Sequence, residues 1–366
     1  MMASASDWLE RIRTLPNVAG GPVRVMNVCG GHERTITLSG LRATLPEGIE
    51  LIAGPGCPVC VCPEEDIFHA IRLALDEGVI LVAFGDLLRV PVNVPKGEIR
   101  SLVEARAAGA DVRAIAAPQE AEAIARAHPH RQVVFLAAGF ETTTAPVAAL
   151  LAKGGLPDNL SVMLSARRTW PAVAMLLDSG RPGFDALIAP GHVAAVMGAE
   201  EWRFVAEKHG LPVAVAGFTA EGILAALHAV LTQLAEGRAV LENAYPEVVR
   251  TQGNPVARRL LDEILLTEDA NWRGIGMIPA SGFALPPAWA GFDARLRFPA
   301  PEAPRRRAGE MPPGCACAEV VLGRIRPQGC PLYGTACTPR HPVGPCMVSD
   351  EGACHIAWSG GVRRAA

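Results

Sequence analysis

Residues 23–36 read VRVMNVCGGHERTI, and this stretch decides the fold class. An apolar run that ends at Cys29 is followed by a double glycine, and a helical pattern begins near Thr35. A short apolar run beside a helical pattern is typical of a buried parallel strand and its crossover helix. The stretch therefore predicts a strand, a turn and a helix, with Cys29 where the strand ends.

The same alternation continues along the chain. Seven further apolar runs predict strands at residues 49–53, 79–84, 111–115, 132–138, 160–165, 186–189 and 212–217. Helical patterns lie between them, at residues 64–76, 118–127, 169–177, 200–209 and 219–236. Repeated alternation of strands and helices predicts βαβ crossovers, and hence an α/β fold with central parallel sheets flanked by helices.

The composition bounds the domain organisation. The chain has 366 residues, of which 50% are hydrophobic and 19% charged, so it is long enough for two or three domains. Two pairs of short stretches resemble each other: LIAGPGC at 51–57 with LIAPGHV at 187–193, and AAGFET at 137–142 with VAGFTA at 215–220. Such internal repeats favour two similar α/β domains, which we predict at residues 1–155 and 156–300. The segment PAPEAPRRRAGEMPPG at 299–314 is typical of a linker, so residues 301–366 should form this linker and a small C-terminal lobe.

Charge and hydropathy exclude some classes of partner. A net charge of -3 and a pI near 6.3 give no reason to expect nucleic acid or an anionic membrane as the main partner. No apolar run approaches the roughly 18 residues of a membrane span, and the first 20 residues lack the apolar core of a signal peptide. We therefore expect a cytoplasmic protein.

Cysteines are concentrated at the C-terminal end, where six of the ten lie in the last 52 residues. Four of the six have the spacing C-x14-C-x6-C-x16-C, and these are Cys315, Cys330, Cys337 and Cys354; Cys317 and Cys346 lie nearby. Four thiolates can hold a [4Fe-4S] cluster, although spacing alone does not choose the four. The alternatives are a structural zinc site, which usually shows C-x2-C pairs that this tail lacks, and disulfides, which suit a secreted chain.

Two further motifs carry thiols. Cys29 precedes a helix whose free N–H groups and dipole favour the thiolate, and His32 shares its turn as a possible ligand, base or donor. Cys57-Pro-Val-Cys60 lies between a strand and a helix, the context of a thioredoxin-like redox pair. The alternatives are a small buried hydrophobe for Cys29 and half of a zinc site for the pair. Cys62 lies outside the pair.

Glu141 and His192 each follow a predicted strand. Ligands of α/β proteins bind beyond the carboxyl ends of strands, so both are candidate site residues. The structural alternative is that the threonines after Glu141 cap a helix and that His192 only packs.

Taken in order, these motifs resemble the HypD family of hydrogenase maturation proteins. The stretches that carry the resemblance are CGGHERTI from Cys29, GPGCPVCV from Gly54, GFETTTAP from Gly139, PGHVAAVMG from Pro190, GMIPASG from Gly276, and the cysteine-rich tail from Cys315 to Cys354. They extend over nearly the whole chain. One departure is Arg34, which stands where the family usually has a second histidine.

The resemblance implies a scaffold on which the Fe(CN)2CO group of [NiFe] hydrogenases is assembled, together with a small HypC-type chaperone and a HypE-type cyanide donor. On this basis Cys29 corresponds to the iron-holding cysteine and Cys57 with Cys60 to the redox-active pair. The implied [4Fe-4S] ligands are Cys315, Cys330, Cys337 and Cys354. Cys317 and Cys346 would then be free to form a disulfide between the cluster and the pair.

Two rival functions are compatible with the same motifs. An iron-sulfur-dependent thiol-disulfide reductase needs only the cluster and the CPVC pair, and a zinc-stabilised interaction module needs only a metal-bound tail. Cys29 discriminates the scaffold from the reductase, because a reductase should keep its exchange activity without this thiol. The metal content discriminates the third possibility.

Overall fold

The structure is a computed structural model that describes residues 3–16, 22–180, 182–300 and 311–363. Within these ranges there are eleven strands: β1 (Val23–Asn27), β2 (Ile49–Ala53), β3 (Ile80–Phe84), β4 (Val112–Ile115), β5 (Val133–Gly139), β6 (Leu160–Ala166), β7 (Ala186–Ala189), β8 (Val213–Val215), β9 (Leu241–Asn243), β10 (Leu266–Trp272) and β11 (Gly276–Ala284). All eight predicted strands are confirmed, with ends that differ by at most two residues. The last three strands were not predicted.

The strands form three sheets. The first sheet has the order β2-β1-β7-β8-β9 and the second the order β4-β3-β5-β6, and every pairing within them is parallel. β10 and β11 form a separate antiparallel pair. The α/β class with central parallel sheets is therefore confirmed.

The sheets do not follow the predicted division at residue 155. β1 and β2 pair with β7, β8 and β9, while β3 to β6 form the second sheet from the chain between them. The predicted limits 1–155 and 156–300 separate β6 from β5, its neighbour in the sheet. The first pair of repeats was expected to lie in two different domains, but LIAG in β2 and LIAP at the end of β7 both belong to the first sheet. Consecutive strands are often neighbours but need not be, so sequence order alone misassigns them. Most of the predicted linker lies outside the described residues.

Helices cover both parallel sheets. They are α1 (Ala5–Arg13), α2 (Gly30–Leu38), α3 (Leu41–Thr44), α4 (Pro58–Val61), α5 (Glu64–Asp76), α6 (Leu102–Ala107), α7 (Pro118–Ala127), α8 (Glu141–Ala152), α9 (Thr169–Asp178), α10 (Gly191–Met197), α11 (Arg203–Glu207), α12 (Ala220–Ala235), α13 (Pro255–Ile264), α14 (Ala294–Arg297), α15 (Cys317–Val321) and α16 (Ala353–Ser359). Four of the five predicted helices are confirmed within a residue. The fifth, at 200–209, is a 3-10 turn (Ala199–Trp202) followed by the short α11.

Parallel strands buried on both faces form the core. Every residue of β5, β6, β7 and β8 is buried, as expected for apolar runs covered by helices on both sides. In the first sheet β2, β1, β7 and β8 are neighbours, so their carboxyl ends meet at one edge. This edge brings together the segments after Asn27, Ala53, Ala189 and Val215.

The C-terminal lobe, residues 311–363, contains α15, α16 and 3-10 turns. Its cysteines form a single apolar cluster with the CPVC pair and with Phe140 and Trp272. The lobe therefore packs directly over the strand edge that carries Cys29 and the CPVC pair. None of the helices in the described ranges is long and apolar enough to cross a membrane.

Candidate functional site

Cys29 lies two residues after the end of β1 and is the N-cap residue of α2, which begins at Gly30 and not, as predicted, near Thr35. The nearby backbone N–H groups of His32 and Gly31 lower the pKa of the Cys29 thiol. Burial has the larger effect, however, and raises the pKa of the Cys29 thiol to about 12. The predicted effect of the helix terminus is therefore present but smaller than the effect of burial. A bound cation would favour ionisation of this buried thiol.

A disulfide joins Cys57 and Cys60 at the start of α4. The loop before it is pressed against the turn that carries Cys29. The amide of Gly30 donates to the Gly56 carbonyl at 3.1 Å, and a Cβ placed on Gly56 would lie 2.5 Å from the Cys29 nitrogen. Only glycine allows this approach, which holds the redox pair beside Cys29.

One narrow cavity, which we call the thiol cavity, is lined by Cys29, Cys57, Cys60 and Cys346. Asn27, Glu33 and Glu351 complete its polar lining. Cys29 and the CPVC pair were predicted from the sequence as site residues, whereas Glu351, the acidic residue from the lobe, was not. Glu351 lies against Gly30, where an added Cβ would come within 2.4 Å of the Glu351 Cβ. No pattern in SDEGAC indicates this contact, because it joins segments 321 residues apart.

Asn27 was also missed, although a polar residue inside the apolar run VRVMNVC is a signal. Its side-chain amide is buried and donates to the Cys29 carbonyl at 3.2 Å and to Glu33 Oε2 at 3.4 Å. Glu33 in turn accepts two hydrogen bonds from Arg42, at 2.8 and 2.9 Å. These contacts hold the backbone of the Cys29 turn in place.

His32 and His192 both lie at this edge. The His32 ring is fully buried, with Nδ1 at 3.2 Å from Asn27 Oδ1 and Nε2 at 3.1 Å from the Ala216 carbonyl. Burial lowers the pKa of His32 to about 3, so the ring is neutral. Phe218 links the two imidazoles, since its centroid lies 4.7 Å from that of His32 and 3.7 Å from that of His192. A neutral imidazole has a single N–H, so His32 can donate to only one of these two oxygens at a time; the ring still joins the Cys29 turn to the segment after β8.

Glu141 lies elsewhere, after β5 in the second sheet. Its buried carboxylate accepts hydrogen bonds from the Thr169 amide and hydroxyl, each at 2.7 Å. These bonds satisfy N–H and O–H groups at the first turn of α9. Burial raises the pKa of Glu141, and the nearby Glu201 has its pKa raised to about 8, mainly by burial. The structure thus places Glu141 at a junction of helices, away from the lining of the thiol cavity.

All six tail cysteines lie in the lobe and are close enough to influence one another. Cys315 and Cys317 approach to 3.4 Å between sulfurs, and the Cys354 amide donates to the Cys346 sulfur at 3.3 Å. Backbone amides donate to Cys330 at 3.4 Å and to Cys337 at 3.3 Å. Cys317 is as central as Cys315, so the arrangement does not single out the predicted foursome.

The donor set suits a soft metal centre, because it combines several thiols with N–H groups aimed at sulfur. In the described part of the chain no three His, Cys, Asp or Glu side chains form a ready site for a single metal ion. A cube is larger than a single ion and takes its ligands from separate loops, as these cysteines are placed. The residues therefore fit an iron-sulfur cluster by their chemistry.

Cys346 belongs to both sulfur groups. It lines the thiol cavity beside the Cys57–Cys60 disulfide, and the nearby Cys317 lowers its pKa within the lobe. Thiol-disulfide exchange proceeds by attack of a thiolate on a disulfide sulfur, so such a bridging thiol can pass reducing equivalents between the groups. Arg34, in contrast, is exposed and does not line the cavity.

Comparison with known proteins gives one consistent result. A family model named HypD and described as "Hydrogenase formation hypA family" matches residues 3–361. The chain is 41% identical to a hydrogenase maturation factor HypD of Rhodobacter capsulatus, over 100% of this chain and 97% of that protein. It is 38% identical to a protein of the same name from Escherichia coli K12, over 95% and 92%, and 41% identical to one from Azotobacter vinelandii, over 92% and 88%.

Proposed function

The chain belongs to the HypD family of hydrogenase maturation factors, and from this premise we propose that it is the scaffold on which the Fe(CN)2CO group of the [NiFe] hydrogenase site is assembled. The observation that supports the proposal best is the shared thiol cavity. Cys29, the Cys57–Cys60 disulfide and Cys346 line this one cavity. The thiol proposed to bind iron, the proposed redox pair and a thiol of the lobe all line this space, which is why it supports the proposal.

In this proposal the iron fragment is the cargo and Cys29 holds it. Low-spin iron that carries cyanide and CO suits thiolate ligation, because sulfur donates electron density to the metal. The buried Cys29 is a neutral thiol when alone, so iron binding would displace its proton. The buried surroundings keep water from the iron, and a small HypC-type chaperone would supply further ligands from outside.

Cyanide is proposed to come from a thiocyanate on a cysteine of a HypE-type partner. One thiol of the reduced CPVC pair attacks the partner's sulfur, and cyanide leaves with the electron pair of the broken S–C bond. The second thiol then closes the Cys57–Cys60 disulfide and releases the partner's thiol. Two thiols are oxidised, and the two protons go to the partner's sulfur and to cyanide or solvent.

Cys346 and Cys317 are the proposed source of the reducing equivalents. Cys346 attacks the Cys57–Cys60 disulfide, and Cys317 resolves the mixed disulfide, so that one dithiol becomes a disulfide while the other is restored. This exchange needs no external reagent. The lowering of the Cys346 pKa by Cys317 and the position of Cys346 in the thiol cavity support it.

We further propose that the lobe holds a [4Fe-4S] cluster through Cys315, Cys330, Cys337 and Cys354, which leaves Cys317 and Cys346 for exchange. Such a cluster, when bound, supplies single electrons. The protein contributes the N–H groups that donate to Cys330 and Cys337 and the apolar packing around them. Hydrogen bonds to sulfur and exclusion of solvent are the means by which a protein sets a cluster's potential.

Infrared and visible spectra of protein co-purified anaerobically with its small chaperone test the proposal. We expect cyanide and CO stretching bands that vanish in Cys29→Ala, together with visible absorbance of an iron-sulfur cluster that this variant keeps. Cluster absorbance without those bands, with all maturation partners present, would contradict the scaffold.

The alternative is an iron-sulfur-dependent thiol-disulfide reductase. The disulfide beside Cys346 is the observation that favours it. Exchange activity toward a small disulfide, retained in Cys29→Ala and unaccompanied by any iron-ligand bands, would support this function instead.

A further inference from the structure

A second and larger cavity runs along β2, the edge strand of the first sheet. Its volume is about 310 Å³. All five residues of Ile49–Ala53 form one wall, and the lobe forms the opposite wall through Val320 and the segment from Gly323 to Gln328. We call this space the edge cavity.

The edge cavity carries an excess of positive charge. Four arginines and two glutamates line it, namely Arg24, Arg42, Arg324, Arg326, Glu33 and Glu50. Arg42 pairs with Glu33 at 2.8 Å and Arg326 with Glu50 at 2.9 Å, so both carboxylates are neutralised by local partners. Arg324 is paired with Glu319 at 3.0 Å, and Arg24 shares Glu50 with Arg326, so one positive charge remains in excess once Glu319 is counted. A cleft with low-dielectric walls concentrates the field of such charges.

The edge cavity adjoins the thiol cavity. Glu33 and Ala53 line both, so the two spaces are adjacent at these residues. Glu33 carries the only charge at this junction, and its carboxylate is bonded to Arg42 and Asn27. An anion that moves from the edge cavity toward Cys29 therefore meets arginines first, then the compensated Glu33 carboxylate, and then Glu351, whose pKa is raised by burial.

We propose that the edge cavity is the anion-selective entrance to Cys29, and that it binds small monovalent anions such as carboxylates and pseudohalides. Its arginines raise the local concentration of anions next to the thiol cavity, and Arg42 is the last cation before Glu33. The biological use of this entrance rests on the proposed function, in which Cys29 reacts. The entrance itself is a property of the cavities and can be tested without iron or partners.

The test compares the alkylation of Cys29 by iodoacetate, an anion, with that by iodoacetamide, which is neutral. Peptide mass spectrometry follows the alkylation of Cys29 alone. Both reagents react with the same Cys29 thiolate, so the ratio of the two rates does not depend on the fraction of Cys29 that is ionised. We expect Arg42→Gln and Arg326→Gln each to lower the iodoacetate-to-iodoacetamide ratio about two-fold at low salt. Glu50→Gln should raise it, and concentrated salt should remove these differences.

Arg72→Gln is the matched control. Arg72 has 43% of its side chain exposed and pairs with Asp76, much as Arg42 has 39% exposed and pairs with Glu33, but it lines neither cavity. If Arg42→Gln does not fold, the more exposed Arg324 and Arg326 still decide the question. An unchanged ratio in these variants, or an equal change in Arg72→Gln, would overturn the proposal. A changed ratio in protein that shows no infrared bands would sustain the entrance while contradicting the scaffold.

Discussion

Gly56→Ala should separate the redox pair from Cys29. The added Cβ would lie 2.5 Å from the nitrogen and 2.6 Å from the Cα of Cys29, and 2.7 Å from the carbonyl carbon of Val28. These are backbone atoms, which cannot rotate away as a flexible side chain can. Because carbon atoms pack at about 3.5 Å or more, the loop and the turn must move apart by about 1 Å.

The cost follows from the contacts that this movement disturbs. Overpacking of a close backbone contact costs about 1–3 kcal/mol. A shift of this size also breaks the 3.1 Å hydrogen bond between Gly30 and Gly56, which contributes about 1 kcal/mol. We therefore expect a loss of about 2–4 kcal/mol in the free energy of unfolding. Domains typically have about 5–15 kcal/mol, so the variant should still fold.

Urea unfolding and the rate of Cys29 alkylation by iodoacetamide measure the two effects. Gly85→Ala is the control, because a Cβ at Gly85 meets nothing within 4 Å. We expect a lower urea midpoint and faster alkylation for Gly56→Ala, with little change for Gly85→Ala. Equal midpoints and equal alkylation rates in the two variants would refute the tight contact between the CPVC loop and the Cys29 turn.

Three further predictions concern the redox pair and the helix junction. Cys57→Ser should abolish hydrogenase maturation in a complementation assay but keep the visible absorbance of the lobe, since Cys57 belongs to the proposed relay and not to the proposed ligand set; loss of that absorbance would contradict this assignment. Glu201→Gln should flatten the pH dependence of stability. The pKa of Glu201 is raised to about 8 in the folded protein, so the native state keeps a proton that the unfolded chain has lost. The free energy of unfolding of the unsubstituted protein should therefore fall as pH rises from about 5 toward 8. Urea midpoints at both ends of that range measure the fall, and an equally steep fall in the variant would exclude Glu201 as its source. Glu141→Ala should lower the urea midpoint, because the Thr169 amide and hydroxyl lose their acceptor and the free energy of unfolding falls by about 1–3 kcal/mol. The rate of Cys29 alkylation should stay unchanged, and an altered rate would show that Glu141 acts on the thiol cavity.

Local patterns in the sequence predicted most strands and helices well, but they did not predict which strands lie next to each other in the sheets. The eight apolar runs became strands because burial on both faces requires continuous apolar sequence, which is visible locally. β9 was missed because it has only three residues, of which none is fully buried. β10 was missed because its first four residues are exposed, which hides any core pattern.

The candidate site shows the same division. Cys29 and the CPVC pair were found because each combines a reactive residue type with a strand-to-helix turn. Glu141 and His192 have the same local signature, yet only His192 lies at the edge that carries Cys29. The difference arises from strand order, since β7 pairs with β1 whereas β5 lies in the other sheet.

By itself, the sequence determined the α/β class, the thiols that carry the chemistry and the cysteine-rich character of the lobe. Only the tertiary structure decided that Cys346 faces the CPVC disulfide, that Phe218 joins the two imidazoles, and that arginines from the first sheet and the lobe share one cavity. The physical reason is that strand and helix formation depends on the periodicity of neighbouring residues, which the sequence displays. Which ends of which strands meet depends on the packing of segments far apart in the chain, and no local pattern records that choice.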